Sequence, residues 1–171
     1  MLLWCSGAMA ECPPGRDTSD LRAALHTHLL NARSETEAAG IADRIWRIWL
    51  TAPDGQAQDL LDRGIARRDQ WDLEMSEALF DRLIGYCPDF VEGYNQRAFA
   101  RFLRQDYDGA LEDIDLVLAT DPYHFGALAG KALALMQQGR TRLAQKALRE
   151  AVGVHPFLRE RHLLADPDQE L

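Results

Sequence analysis

Between residues 57 and 156 apolar side chains recur at intervals of three and four, in stripes about a dozen residues long separated by short polar turns. That spacing lines one face of an α-helix. Leu128, Ala132 and Leu135 make one such stripe, and Ala144, Leu148, Ala151 and Val152 make the next. One repeat earlier, Ala110, Ile114, Val117 and Leu118 do the same after the polar turn Gln105-Asp106-Tyr107-Asp108. Pro88, Pro122 and Pro156 each close a pair of stripes and lie 34 residues apart. Proline lacks an N–H and disfavours helix in the residue before it, so it ends each unit. Sliding the chain on itself by 34 stacks Leu60, Tyr94 and Leu128, then Gly64, Ala98 and Ala132, then Ser76, Ala110 and Ala144. Phe80, Ile114 and Leu148 form a further column. The pattern predicts three helix–turn–helix repeats at 57–88, 91–122 and 125–156, an all-α chain in which a small residue in mid-face lets paired helices approach closely.

The flanks read as helix too. Asp20 precedes a stripe of Leu21, Ala24, Leu25, His28 and Leu29; Ser34-Glu35-Thr36-Glu37 opens a second that runs through Ile41, Ile45, Ile48 and Trp49 to the break at Pro53-Asp54-Gly55. Residues 20–52 are therefore expected to form an antiparallel helix pair, a diverged repeat or N-terminal cap on the stack, with Ile45, Trp46 and Trp49 in the core. Residues 11–19 read as a linker. Residues 157–171 read as a short capping helix and tail, too short to cover the last repeat completely.

These columns resemble the tetratricopeptide repeat, and the second repeat carries the likeness best through Tyr94-Asn95-Gln96-Arg97-Ala98 and Asp106-Tyr107-Asp108-Gly109-Ala110-Leu111-Glu112-Asp113. The first repeat departs from the pattern, with Trp71 at the usual turn glycine and Ser76 at the usual alanine. Arg63, Arg97 and Lys131 stand where the family most often has leucine, and their stems are expected to lie over adjacent helices. The resemblance implies a right-handed superhelix of antiparallel helix pairs, an α-solenoid, whose first helices line a concave groove. By that resemblance the groove residues are Leu61, Ile65 and Arg68; Asn95, Phe99 and Phe102; and Ala129, Leu133 and Met136. Such a groove is mostly apolar, with the Asn95 amide free to hold a peptide backbone. It suits an amphipathic or extended apolar segment of a protein or peptide partner, bound without chemistry. It lacks the Lys/Asn/Arg set with which chaperone-binding members grip a terminal carboxylate. Self-association through the poorly covered end of the stack is the rival expectation.

Charge and composition narrow the partners. Acidic residues outnumber basic ones 27 to 19, a net charge of −8, so neither nucleic acid nor an anionic membrane surface is an expected partner. No apolar run approaches the roughly 18–20 residues of a membrane span. The acids crowd residues 89–121 and the bases residues 123–156, which neighbour-to-neighbour pairing along the stack would explain.

No catalytic motif emerges. The serines lie in no G-x-S-x-G context and the glycines form no phosphate loop. His26 and His28 point to opposite sides of a helix, while His124 and His155 sit beside the repeat-closing prolines, where polar caps are usual. Neither a metal, a cofactor nor an enzymatic role is expected. The apolar Met1–Ala10 ends in Ala8-Met9-Ala10, the small-residue spacing that signal peptidase accepts. Residues 1–10 are thus read as a signal-peptide remnant cleaved after Ala10. The likeness to small exported bacterial tetratricopeptide proteins with a Cys-Pro-Pro segment, here Cys12-Pro13-Pro14, points the same way, to the periplasm. In that compartment Cys12 and Cys87 are an even pair able to form a disulfide; in a cytoplasm all three cysteines would be thiols.

Overall fold

The computed structural model describes residues 11–165; residues 1–10, expected to be a signal-peptide remnant, and the last six residues lie outside the described residues. Eight α-helices follow one another: α1 (Ser19–Leu30), α2 (Glu35–Trp49), α3 (Gly55–Asp69), α4 (Leu73–Tyr86), α5 (Val91–Leu103), α6 (Tyr107–Thr120), α7 (Phe125–Gln137) and α8 (Thr141–Val154), then a 3-10 helix at Arg159–Leu163. Among the described residues there is no strand. The helices α3–α8 pair as three hairpins that stack in chain order.

The 34-residue period is written into the backbone as well as the side chains. Residues 71, 105 and 139 all adopt a left-handed conformation, with φ of 62°, 66° and 70°. In each turn the next residue donates its N–H back across the helix end, Asp72 to the Arg67 carbonyl, Asp106 to Arg101 and Arg140 to Leu135, each at 2.9 Å. This closing bond satisfies a carbonyl that the helix leaves unpaired, and glycine normally takes the left-handed position because it has no Cβ. Only the third turn has it. Trp71 holds the first and is 70% exposed, so its ring gains little from packing to offset the backbone strain.

The starts of α2, α3 and α6 are fixed by side-chain acceptors. Ser34, Asp54 and Asp106 receive the N–H of Glu37 (3.2 Å), Ala57 (2.8 Å) and Gly109 (3.1 Å). Asp54 also accepts the Tyr86 hydroxyl at 2.6 Å. Its backbone bond from Ala57 first, and the Tyr86 bond second, hold its carboxyl below the usual range. Within each hairpin the small-residue columns close the gap. Ser76, Ala110 and Ala144 are all fully buried, and the Ser76 hydroxyl bonds the Gly64 carbonyl at 2.9 Å.

The basic column does more than cover neighbouring helices. Arg97 donates to Asp81, sixteen residues back in α4, at 2.7 Å, and Lys131 donates to Asp115, sixteen back in α6, at 2.7 Å. Arg97 also grips the buried Asp113 with two nitrogens, at 2.9 and 2.6 Å. Arg101 and Arg104 both reach Glu77 of the preceding repeat. Burial alone would raise the Glu77 carboxyl, but the hydrogen bonds of these two guanidiniums outweigh it and lower the group. Of the pairing expected between the acidic residues 89–121 and the basic residues 123–156, the structure shows Lys131–Asp115, while Lys146 pairs within its own helix with Glu150. Arg63 has no preceding repeat and pairs within its own helix, with Asp59 at 3.0 Å.

Two expectations change. The helix pair α1–α2 does not continue the stack as a diverged repeat or cap. Its apolar residues Leu25, Leu29, Ala38, Ala42, Ile45 and Trp49 form one core cluster with Phe125, Leu128, Ala129, Ala151 and Leu158, at the far end of the chain. The physical reason is that α3 presents a charged outer face, carrying the Arg63–Asp59 and Arg67–Asp72 pairs, with no apolar stripe left to cover. The last repeat is also better covered than its short tail implied. Leu163 and Leu164 pack against Ala144, Ala147 and Leu148, and Gln145 bonds both the Leu163 carbonyl and the Ala165 N–H at 2.9 Å.

Close packing at Gly64 gives a direct test. A Cβ there would lie 2.7 Å from Phe80 Cζ, inside a fully buried ring. Gly64→Ala is expected to lower stability by about 1–3 kcal/mol, measured as a shift of the urea midpoint at unchanged slope. The same change at Gly153, which has no neighbour within 4 Å of a Cβ, should not destabilise.

Candidate functional site

Helices α1 and α2 share a core with Phe125, Leu128 and Ala129 of α7, so one residue of the expected groove column, Ala129, lies in that contact. Trp46 fills a notch that exists because residue 126 is glycine; a Cβ there would lie 2.5 Å from Trp46 Cη2. Trp49 lies flat on His124, centroids 3.7 Å apart and planes 14° from parallel, and both tryptophans touch Phe125, at 5.6 and 4.9 Å. Helix α1 adds Arg22, whose guanidinium pairs with Asp121. The same Asp121 oxygen accepts the Trp49 indole N–H at 3.1 Å.

His124 joins this contact to the repeats. Its Nδ1 caps α7 by accepting the Ala127 N–H at 3.1 Å, so the ring proton sits on Nε2 and is donated to Glu92 Oε2 at 3.1 Å. Glu92, at the start of α5, is almost fully buried, and its other oxygen accepts the amides of Asn95 (2.9 Å) and Gln96 (2.5 Å). The Gln96 oxygen in turn accepts from Arg68 of α3. A continuous polar path therefore runs from the first repeat through the second and third to the docked helix pair.

The nine residues assigned to the groove have different fates. Leu61 is fully buried in the cluster of the first repeat, and Ala129 is buried beneath α2. Neither is open to a ligand. Asn95 is buried with its NH2 donated to Glu92, so its amide is not the free peptide clamp expected of it. Ile65, Arg68, Phe99, Phe102, Leu133 and Met136 keep exposed or half-exposed surface. The Arg68 guanidinium stands over the Phe99 ring at 4.8 Å, and Phe102 tilts against Tyr107 at 5.6 Å. Cys12 and Cys87 are bonded to each other, with Cα atoms 5.2 Å apart.

Sequence reasoning treated Trp46 and Trp49 as core, but it did not find their seat on residues 121–126. The signal available was Gly126 beside His124-Phe125, a gap next to an aromatic platform. His26 was missed as well. It is buried among Trp49, Tyr123 and Phe125, at 6.2, 5.8 and 6.5 Å, and neither ring nitrogen has a hydrogen-bond partner. His155, against the other side of Phe125 at 5.1 Å, leaves Nδ1 equally unpartnered, so it is no cap. Desolvation lowers both histidines from their ordinary value. At His26 the attraction of Asp121 opposes that shift, while Arg22 and His124 add to it.

No protein-family model matches the chain. It is 28% identical over 132 residues to a TPR (tetratricopeptide) repeat-containing protein of Rhizobium etli, a match covering 77% of this chain and 65% of the relative. It is 29% identical over 119 residues to tetratricopeptide repeat protein 36 of Xenopus tropicalis, covering 66% and 58%. The match spans less than two thirds of either relative. Among solved structures, residues 41–end of MamA from Desulfovibrio magneticus RS-1 superpose with a TM-score of 0.56 at 20% identity, covering 84% of this chain and 78% of that one. MamA from MSR-1 gives 0.54 at 22%, covering 82% and 79%. The chain thus resembles tetratricopeptide-repeat proteins and has an all-helical α-solenoid fold, a scaffold class that points to protein partners. No helix among the described residues is long and apolar enough to cross a membrane.

The two buried histidines set a pH dependence. A histidine held below its ordinary value adds stability that is complete above that value and is lost as pH falls from it toward the depressed one. Melting temperature is expected to fall as pH drops below about 6.5, before the carboxylates titrate. His26→Phe should flatten that fall; an unchanged pH profile in the variant would remove His26 as its source.

Proposed function

We propose that the protein is a non-enzymatic scaffold that holds a segment of a partner protein on the open part of its inner face. The observation that supports this is the docked helix pair. An amphipathic helix of the chain itself already sits on the face around Ala129, bound by aromatic insertion and an indole hydrogen bond, so the surface is suited to that class of ligand. The adjoining stretch, Ile65, Phe99, Phe102, Leu133 and Met136, keeps accessible apolar and aromatic area. Arg68 above Phe99 supplies a cation beside it. A repeat scaffold loses little entropy on binding, so modest contacts suffice.

The test is capture of the partner from native cells by crosslinking at the open stretch, then comparison of wild type with Phe102→Glu/Met136→Glu. The variant is expected to lose capture while its helical circular dichroism stays intact. Capture at wild-type level would refute the assignment of this stretch.

The same proposal places the protein outside the cytoplasm. It is supported by the Ala8-Met9-Ala10 spacing and by the Cys12–Cys87 bond, since disulfides persist in oxidising compartments. Protein recovered by osmotic shock is expected to begin at Glu11 on N-terminal sequencing. Recovery only in the cytoplasmic fraction, with Met1 retained, would count against export.

A further inference from the structure

A cleft of about 740 Å³ opens where the arm before α1, α1 itself, α2 with the loop after it, and the turns that lead into α5 and α7 meet. The arm is held there by the Cys12–Cys87 bond, which fixes it to the end of α4, and Gly15 comes close to Pro53. Arg16 of the arm and Arg44 and Arg47 of α2 line this cleft, and none of the three has a carboxylate partner among the described residues. The carboxylates on the opposite side are mostly occupied. Glu92 is bonded to His124, Asn95 and Gln96, and Asp121 to Arg22 and Trp49, which leaves Asp89. In a chain of net charge −8, where Arg97, Arg101, Arg104 and Lys131 are all paired with acids, three arginines without a carboxylate partner line this one cleft. Apolar side chains, Leu21, Ile48 and Val91 among them, line the same cleft.

We propose that this cleft is a second interaction surface, distinct from the open stretch at Phe99 and Phe102, and that it takes an extended acidic segment of a protein partner, with carboxylates alternating with apolar side chains. Guanidinium groups bind carboxylates through paired hydrogen bonds, and Leu21, Ile48 and Val91 in the same cleft suit the apolar residues between them. A nucleic acid fits the same place poorly. Three arginines beside Asp89 neutralise few phosphates, and the excess negative charge of the chain repels a polyanion.

The test uses the full-length oxidised protein and a short fluorescein-labelled peptide alternating glutamate and leucine, read by fluorescence anisotropy. Binding is expected, and it should weaken as salt is raised. Arg44→Glu/Arg47→Glu should weaken it by about tenfold or more, the equivalent of one good charge contact, and Arg44→Gln/Arg47→Gln by less. Cys12→Ser/Cys87→Ser should also weaken it, because Arg16 is then no longer held at the cleft. Phe102→Glu/Met136→Glu should bind the peptide normally, so failure here and failure at the inner face are separable. The proposal is overturned if the charge-reversed pair binds the peptide as the wild type does. It is equally overturned if a lysine–leucine peptide binds as well, or if a single-stranded oligonucleotide of equal charge binds more tightly than the acidic peptide.

Discussion

A buried carboxylate sets the terms for most of this structure. Glu92 sits almost without solvent between the second and third repeats, and each of its oxygens is engaged, by His124 on one side and by Asn95 and Gln96 on the other. A charge in that position is costly unless every acceptor site is met, so it leaves the surrounding helices one arrangement. His124 can serve it only while its other nitrogen caps α7, and its ring is then flat and available for Trp49 to cover. Gln96 extends the same requirement to Arg68 in the first repeat. Three repeats and the helix pair are thereby held in one register by a single polar path, while the apolar columns around it supply most of the burial.

The charges outside that path act between neighbours. Each of Arg97 and Lys131 looks sixteen residues back to an aspartate on the second helix of the preceding repeat. Asp113 accepts from both Arg97 and Arg101 with almost no exposure. Pairs this sheltered are less screened than ordinary surface ion pairs, and removing one partner would strand the other. Arg97, Arg101 and Arg104 of the second repeat, like Lys131 of the third, thus make a seam of charge pairs between successive hairpins.

Much of the fold was legible because repetition is a local signal. The period of the prolines, the small residues at 64, 98 and 132, and the polar turns each state the same helix pair, and the backbone repeats at 71, 105 and 139 accordingly. The placement of α1–α2 was not legible. Amphipathicity says that a helix has a face to bury, without saying against what, and the partner here lies some eighty residues further along. Only the concave notch at Gly126 and the polarity of the α3 outer face distinguish inner docking from end capping. The candidate groove suffered for the same reason. Its positions follow from repeat register, but Leu61 and Ala129 are covered by segments whose route the register does not specify.

The arm and helix pair are joined to the first repeat twice, through the Cys12–Cys87 bond and through the chain at α3, while the body of the pair rests on the third. Solenoids of this kind normally behave as springs, lengthening and recoiling because each unit touches only the next. Here a strut spans the arc like a chord, so pulling the ends apart must also prise the tryptophans from their platform. Curvature is therefore preset, its bending already settled by folding.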